Sequence, residues 1–163
     1  MDEIWPALRV FLLLAMANTA PLLAKHWLGL RWAAPLDGGL NFVDGRPLFG
    51  SSKTIRGIVA AIIATALAAF LMGLPATLGA LVGDAAMLGD LLSSFVKRRL
   101  GLKPSSRATG IDQIPEALVP LLTLHAALGV SPLQVLAITV AFFVLEIPAA
   151  RLYHRAGLRD QPY

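Results

Sequence analysis

Two carboxylates, Asp84 and Asp90, stand in an otherwise apolar stretch that runs directly into Lys97, Arg98 and Arg99. A carboxylate inside a bilayer helix is costly unless it meets a cation, a metal ion or water. On a straight helix residues six positions apart differ by about 120° around the axis and about 9 Å along it. Asp84 and Asp90 therefore do not share a single ion on such a helix. They could flank a two-metal site, or Gly83 and Gly89 could bend the helix between them. Asp90, Ser94 and Lys97 do share a face, at i, i+4 and i+7. Carboxylates beside cations at a membrane surface suit Mg²⁺ with a polyphosphate, because Mg²⁺ takes one or two carboxylates and completes its octahedron with water and phosphate oxygens. The plainer alternative is a structural salt bridge from Asp90 to a neighbouring Arg or Lys. Asp112, in GIDQIP, brings a third carboxylate at the far end of the same loop, where an isolated Asp also serves as a helix N-cap.

A second candidate is the stretch DGRPLFGSSKTIRG at residues 44–57. Gly50, Ser51, Ser52, Lys53, Thr54 and Arg56 fall directly before an apolar run. Backbone amides at a helix N-terminus receive phosphate oxygens, and Lys53 and Arg56 add charge. The spacing is not that of a Walker loop, and an ordinary turn carrying cytoplasmic charges is the competing reading.

These residues have to be held by membrane helices. The 163 residues are 56% hydrophobic and only 15% charged, with a mean hydropathy of +0.69, where a soluble domain carries about a quarter charged residues. Five apolar blocks, at about 4–23, 56–74, 75–96, 114–129 and 132–151, each approach the ~20 residues that span a bilayer. The predicted fold is all-α: one integral membrane bundle of five transmembrane helices with cytoplasmic loops at about 25–55 and 97–113. The block at 114–129 is short and contains Pro115 and Pro120. No stretch alternates as barrel strands do. Lys25, Arg31, Arg46 and Lys53 mark the first loop, Lys97, Arg98, Arg99, Lys103 and Arg107 the second, and Arg155 and Arg159 the tail, whereas GLP at 73–75 and GVSP at 129–132 carry no charge. The positive-inside rule then puts the protein in the cell membrane with its N-terminus outside and its C-terminus in the cytoplasm. Asp2 and Glu3 replace the positive start of a cleavable signal peptide.

Trp27 and Trp32 read as interfacial anchors, and pairs such as Ala60-Ala61 and Gly79-Ala80 as close-packing positions. Arg9 is expected to snorkel, His125 to make a helix contact, and Glu146 to pair with Arg151 or Arg56. The chain has no cysteine and three histidines, so thiol chemistry is excluded and no zinc spacing exists. The net charge of +4 lies in loops beside membrane helices and is no sign of nucleic-acid binding.

The stretches DGRPLFGSSKTIRG and GDLLSSFVKRRLGLKPSSRATGIDQIP resemble the CDP-archaeol synthases, over nearly the whole chain. The resemblance implies a small five-helix membrane enzyme that joins CTP and an unsaturated archaetidic acid to give the CDP-lipid and pyrophosphate, with Mg²⁺ as cofactor. It implies Asp90 as the first metal ligand, Asp112 as the next and Asp84, matched less closely, as a third. Lys97, Arg98 and Arg99, with Lys53 and Arg56, would hold the triphosphate and lipid phosphate, and Ser94 would contact phosphate or orient the metal shell. Gly50, Ser51, Thr54 and Gln113 complete the expected substrate site. Ile55 stands where many members carry an aromatic residue. The lipid phosphate is already an anion, so no general base is needed; cations lower the repulsion between the reacting anions.

Two rivals remain at this level. One keeps the chemistry but takes ester-linked phosphatidic acid. The other is a small transporter using Asp84 and Asp90 as an ion relay, which leaves the basic loops without a task. A CDP-alcohol phosphotransferase is excluded by its missing Asp-Gly-Ala-Arg motif. The partners expected are CTP and a phospholipid precursor within the bilayer; a homodimer stays open. The topology is checked with a cysteine at Ser105: an impermeant thiol reagent should leave it unlabelled in intact cells and label it after permeabilisation. Labelling from outside would overturn the orientation.

Overall fold

A computed structural model of the chain describes residues 4–106 and 108–158; Asp2, Glu3, Arg107 and Arg159 lie outside them. Five helices follow in order: α1 (Ile4–Leu28), α2 (Ile55–Leu71), α3 (Ala76–Arg99), α4 (Gln113–Leu128) and α5 (Pro132–Arg155). Among the described residues there is no strand, only the isolated bridges Pro35–Thr54 and Asn41–Pro47. Three helices run longer than the apolar blocks. α1 continues to Leu28, α3 absorbs Lys97, Arg98 and Arg99 in its last turn, and α5 ends at Arg155. Long basic side chains are good helix formers, and cations near a helix C-terminus offset its partial negative charge.

α1, α3 and α5, with 25, 24 and 24 residues, are long and apolar enough to cross a membrane. α2 and α4 have 17 and 16 residues, which at ~1.5 Å per residue give about 25 Å against about 30 Å of hydrocarbon. Their ends are set locally. Thr54 Oγ1 accepts the Gly57 N–H at 3.1 Å and starts α2. Ser131 and Gln134 form a capping box that starts α5. Gly129 takes a left-handed φ of 65° to end α4.

The helices follow one another around a ring, α1 on α2, α2 on α3, α3 on α4 and α4 on α5; α5 returns to α1 along the sparsest of these seams. A core of Val10, Leu13 and Leu14 on α1, Val82 and Ala86 on α3 and Leu121 on α4 fills the ring toward the short turns. α3 sits closest to its neighbours because small residues face them. A Cβ at Gly83 would stand 3.1 Å from the Ala61 carbonyl oxygen of α2, and one at Gly89 would stand 2.8 Å from Glu116 Cα of α4, with the Pro115 carbonyl nearer still. Gly89 immediately precedes Asp90, so the contact that locks α3 on α4 also fixes the depth of the carboxylate. Gly89→Ala should cost about 1–3 kcal/mol through overpacking. The expected readout is a lower midpoint of thermal unfolding in detergent; an unchanged midpoint would mean that the two helices can separate without cost.

Candidate active site

At the charged end the ring is open around a cavity of 540 Å³, in the range that holds small ligands. The α3 wall supplies Asp90, Ser94, Lys97 and Arg98, so the face expected from i, i+4, i+7 spacing does line one chamber. Lys53 Nζ lies 2.5 Å from Asp90 Oδ2, and Lys97 Nζ lies 2.5 Å from Asp112 Oδ1. Asp90 is thus paired with the first loop and not with the basic cluster of its own helix. Lys97 also donates to the Ser106 carbonyl at 3.1 Å. Asp112 precedes α4 but makes no side-chain cap; its second oxygen accepts the Ala108 N–H at 2.9 Å. Arg98 is only 3% exposed. Its Nη2 donates to the Lys103 carbonyl at 2.8 Å, while Nε and Nη1 are buried without an acceptor among the described residues. Buried donors of this kind are costly; Nη1 lies beside Gly50, and Arg56 Nε, Arg99 Nε and Ser106 Oγ are buried in the same way.

From the first loop Ser51, Lys53 and Thr54 reach the cavity, joined by Arg56 in the first turn of α2. Arg56 is tied to the Gly29 and Arg31 carbonyls at 2.9 and 2.6 Å. Gly50 differs from the expected phosphate cradle. It is buried with a φ of +95°, and a Cβ there would stand 3.1 Å from Pro104 Cγ and 3.3 Å from Arg98 Nη1. Its N–H is already donated to Asp37 Oδ2 at 2.9 Å. Gly50 allows the two loops to approach and is not among the residues that face the cavity.

Asp37 is the organising residue that the sequence reading passed over. Its Oδ2 also accepts the Phe49 N–H at 3.0 Å, and Oδ1 accepts the Gly39 N–H at 3.0 Å. The signal was Asp followed by two glycines, both with positive φ, the pattern of a side-chain-stapled turn. Burial opposes the charge on Asp37, but the N–H groups of Gly50, Phe49 and Gly39 overcome it and hold its carboxyl below the usual value.

Two expected residues stand elsewhere. Arg99 does not line the cavity. Its guanidinium is 2.6 Å from Asp44 Oδ1 and 2.6 Å from the Pro47 carbonyl, and lies 4.8 and 4.9 Å from the ring centres of Phe42 and Phe95. It clasps the first loop to α3. Asp84 is exposed, between Leu81 and Leu88 on the outward arc of α3, as the 120° offset requires. It has no hydrogen bond or ion pair among the described residues, so the structure separates it from Asp90 and Asp112.

On the opposite wall Gln113 accepts the Gly110 N–H at 2.8 Å and donates from Nε2 to Glu146, a partner not foreseen for Glu146. Glu116, 7% exposed, accepts from Asn18 Nδ2 at 3.4 Å. Glu116 and Asn18 were not anticipated; polar residues inside apolar blocks were their signal. Among the described residues no cluster of three or more His, Cys, Asp or Glu forms a metal cage. Asp90 and Asp112 face one chamber, each paired with a lysine, so Asp90 makes the structural salt bridge that was the plainer alternative; one or two carboxylates still suffice for a divalent cation when phosphates supply the other ligands.

A family model described as CarS-like, CDP-archaeol synthase, matches residues 7–80 and 74–163. The chain belongs to the CDP-archaeol synthase family. Similar proteins in this family include a CDP-archaeol synthase of Hyperthermus butylicus, 36% identical over 151 residues that cover 88% of this chain and 84% of the relative. A CDP-archaeol synthase of Pyrobaculum arsenaticum is 34% identical over 148 residues, covering 81% and 88%. A solved intramembrane enzyme for archaeal membrane lipid biosynthesis is 32% identical with a TM-score of 0.70, covering 88% of this chain and 91% of that one.

The Asp37 staple sets an acid-stability test. A carboxyl whose folded pKa lies below the ordinary ~3.9 contributes stability that is present above about pH 4 and lost as pH falls through the folded value. Asp37→Asn turns one acceptor into a donor facing the N–H groups, so it should cost about 1–3 kcal/mol at neutral pH. Unfolding measured against pH should show that gap narrowing only below about pH 4. A gap independent of pH there would mean that the charge is not what holds the loop.

Proposed function

We propose that the protein transfers CMP from CTP to the phosphate of an archaeal ether lipid, an unsaturated archaetidic acid, giving the CDP-lipid and pyrophosphate. Family membership supports the reaction, and one observation ties it to this chamber: Lys53, Lys97 and Arg98 line one cavity together with Asp90 and Asp112. A transporter reading leaves those cations without a ligand, and its relay needs Asp84, which does not line the cavity.

In this reading all five helices cross the membrane, with the N-terminus outside and both loops cytoplasmic. The succession of helices supports it, because it carries the C-terminal ends of α1, α3 and α5 and the N-terminal ends of α2 and α4 to one end. α2 and α4 cross as short spans, which snorkelling flanks and local thinning of the bilayer accommodate.

The nucleophile is a phosphate oxygen of the lipid. It forms a bond to the α-phosphorus of CTP as the bond to the bridging oxygen of pyrophosphate breaks. That oxygen is ionised already, so no proton has to be removed, and no histidine lines the cavity among the described residues. Arg98 on the α3 wall supplies a guanidinium for phosphate oxygens. Lys53 and Lys97 compensate charge on either side of the reacting phosphorus, each tethered by its carboxylate. Ser94, 2% exposed on the same wall, offers a hydroxyl to a phosphate. Arg56 stands at the loop side, where its backbone contacts keep it oriented. Mg²⁺, held by Asp90 and Asp112, would screen the two anions from each other and stabilise the leaving pyrophosphate.

The deciding experiment is pyrophosphate release from CTP by the purified protein, which should require both Mg²⁺ and the ether lipid phosphate. Release that is independent of the lipid, or absent with it, would overturn the reaction. Asp90→Asn should remain folded in detergent and lose turnover by a hundredfold or more, on the order of 3 kcal/mol of transition-state stabilisation. Asp84→Asn should turn over near the parent rate. Near-normal turnover of Asp90→Asn at saturating Mg²⁺ would remove Asp90 from the metal site.

A further inference from the structure

A water-soluble nucleotide reaches the cavity from the loop end, but a lipid phosphate must enter sideways, because its chains stay in the bilayer. Four of the five seams in the ring are poor routes. α3 is locked on α2 at Gly79 and Gly83 and on α4 at Gly89, where even a methyl group has no room. Pro21 of α1 stands 3.4 Å from where a Cβ on Gly57 of α2 would lie. α4 and α5 are joined across the cavity by Gln113 and Glu146. The fifth seam, α5 to α1, is the sparsest.

That seam is closed at two levels. Toward the short turns Phe11 and Phe142 meet edge to face at 6.4 Å. Nearer the loops Thr19 Oγ1 and Tyr153 Oη are 2.8 Å apart. The Thr19 hydroxyl donates to the Ala15 carbonyl at 2.7 Å, so Tyr153 is the donor across the seam. Between these contacts α5 carries Pro148, while Pro21 of α1 lies just beyond Thr19 on the loop side, where it packs against Gly57 of α2. A proline inside a helix removes one backbone hydrogen bond and allows a bend. Behind them the cavity wall consists of Leu22 on α1 and Ile147 and Ala150 on α5, with Lys25 at the α1 end. Apolar walls lead inward to Lys53, Lys97 and Arg98.

We propose that the α1–α5 seam is the lateral entry and chain-binding groove for the lipid phosphate, and that Tyr153 and Thr19 latch it. The phosphate passes between the helices to the cations while the chains remain against Leu22 and Ile147. The proposal rests on the reaction given above, deepens it by placing its lipid substrate, and fails separately from it. No covalent step is involved; the latch exchanges a helix-to-helix hydrogen bond for lipid contacts.

Two measurements decide it. In the first, a diether lipid phosphate bearing a diazirine on its chains is photolysed with the whole protein in liposomes, and the labelled residues are mapped. Label on α1 and α5 around Leu22 and Ile147 is expected; label confined to the α2–α3 or α3–α4 seams would overturn the groove. In the second, Thr19→Cys with Tyr153→Cys, in a chain that has no other cysteine, is bridged by a cleavable bis-thiol reagent. Turnover of the lipid should fall at least tenfold, CTP binding should persist, and cleavage of the bridge should restore turnover. Undiminished turnover with the bridge in place would overturn the latch. Label at this seam in a protein that never releases pyrophosphate would leave the groove standing and overturn the reaction.

Discussion

The structure is organised around two ion pairs at the charged end of an apolar bundle. Lys53 with Asp90, and Lys97 with Asp112, are pairs whose partners come from different segments: a loop with a helix, and a helix with the start of the next. An isolated ion in such surroundings is far costlier than a paired one. The pairs therefore act as distance restraints on the chain as well as charge compensation. They draw the 29–54 loop and the α3–α4 connection over one cavity, and the Asp44–Arg99 clasp repeats the arrangement at its rim.

Packing in the rest of the bundle serves that arrangement. Glycines on α3 let α2 and α4 come near enough to hold Asp90, Ser94 and Lys97 at fixed depth. Small residues are how helices gain contact in lipid, where burial of apolar surface supplies no drive. α1 is held firmly against α2 by its buried face but meets α5 only sparsely. The α2–α3–α4 side of the ring is closely packed, while the α5–α1 seam is where it is thinnest.

Much of this was legible in the sequence because membrane helices announce themselves by length and polarity. The five apolar blocks correspond to the five helices, and the spacing of Asp90, Ser94 and Lys97 correctly placed them on one wall. The 120° offset ruled out one shared ion on a straight helix but left Asp84 open as a ligand of a second metal, and the structure turns it outward instead. What stayed hidden depended on chain geometry outside regular helices. No periodicity tells that Asp37 turns back on Phe49 and Gly50, or that Arg99 is spent on the first loop while Arg98, its neighbour, turns into the cavity. Adjacent residues on a helix differ by about 100°, so a run of three cations divides its tasks by angle, and the direction of the cavity is not written in the run itself. Glu116 and Asn18 were obscured because α1 and α4 meet only once folded.

The lining of the cavity carries a consequence for how its occupants arrive. Lys25, Lys53, Arg56, Lys97 and Arg98 are five cations, and Asp90, Asp112, Glu116 and Glu146 are four carboxylates. With all of them ionised, the empty chamber is one charge from neutral. The lining by itself adds little long-range pull, since steering grows with uncompensated charge. A bare nucleotide polyanion would leave the chamber strongly negative, whereas the same nucleotide chelated to a divalent cation brings far less imbalance. Selectivity at the doorway is then a matter of matched charge and shape at short range, and the ionic strength of the surroundings has little leverage over it.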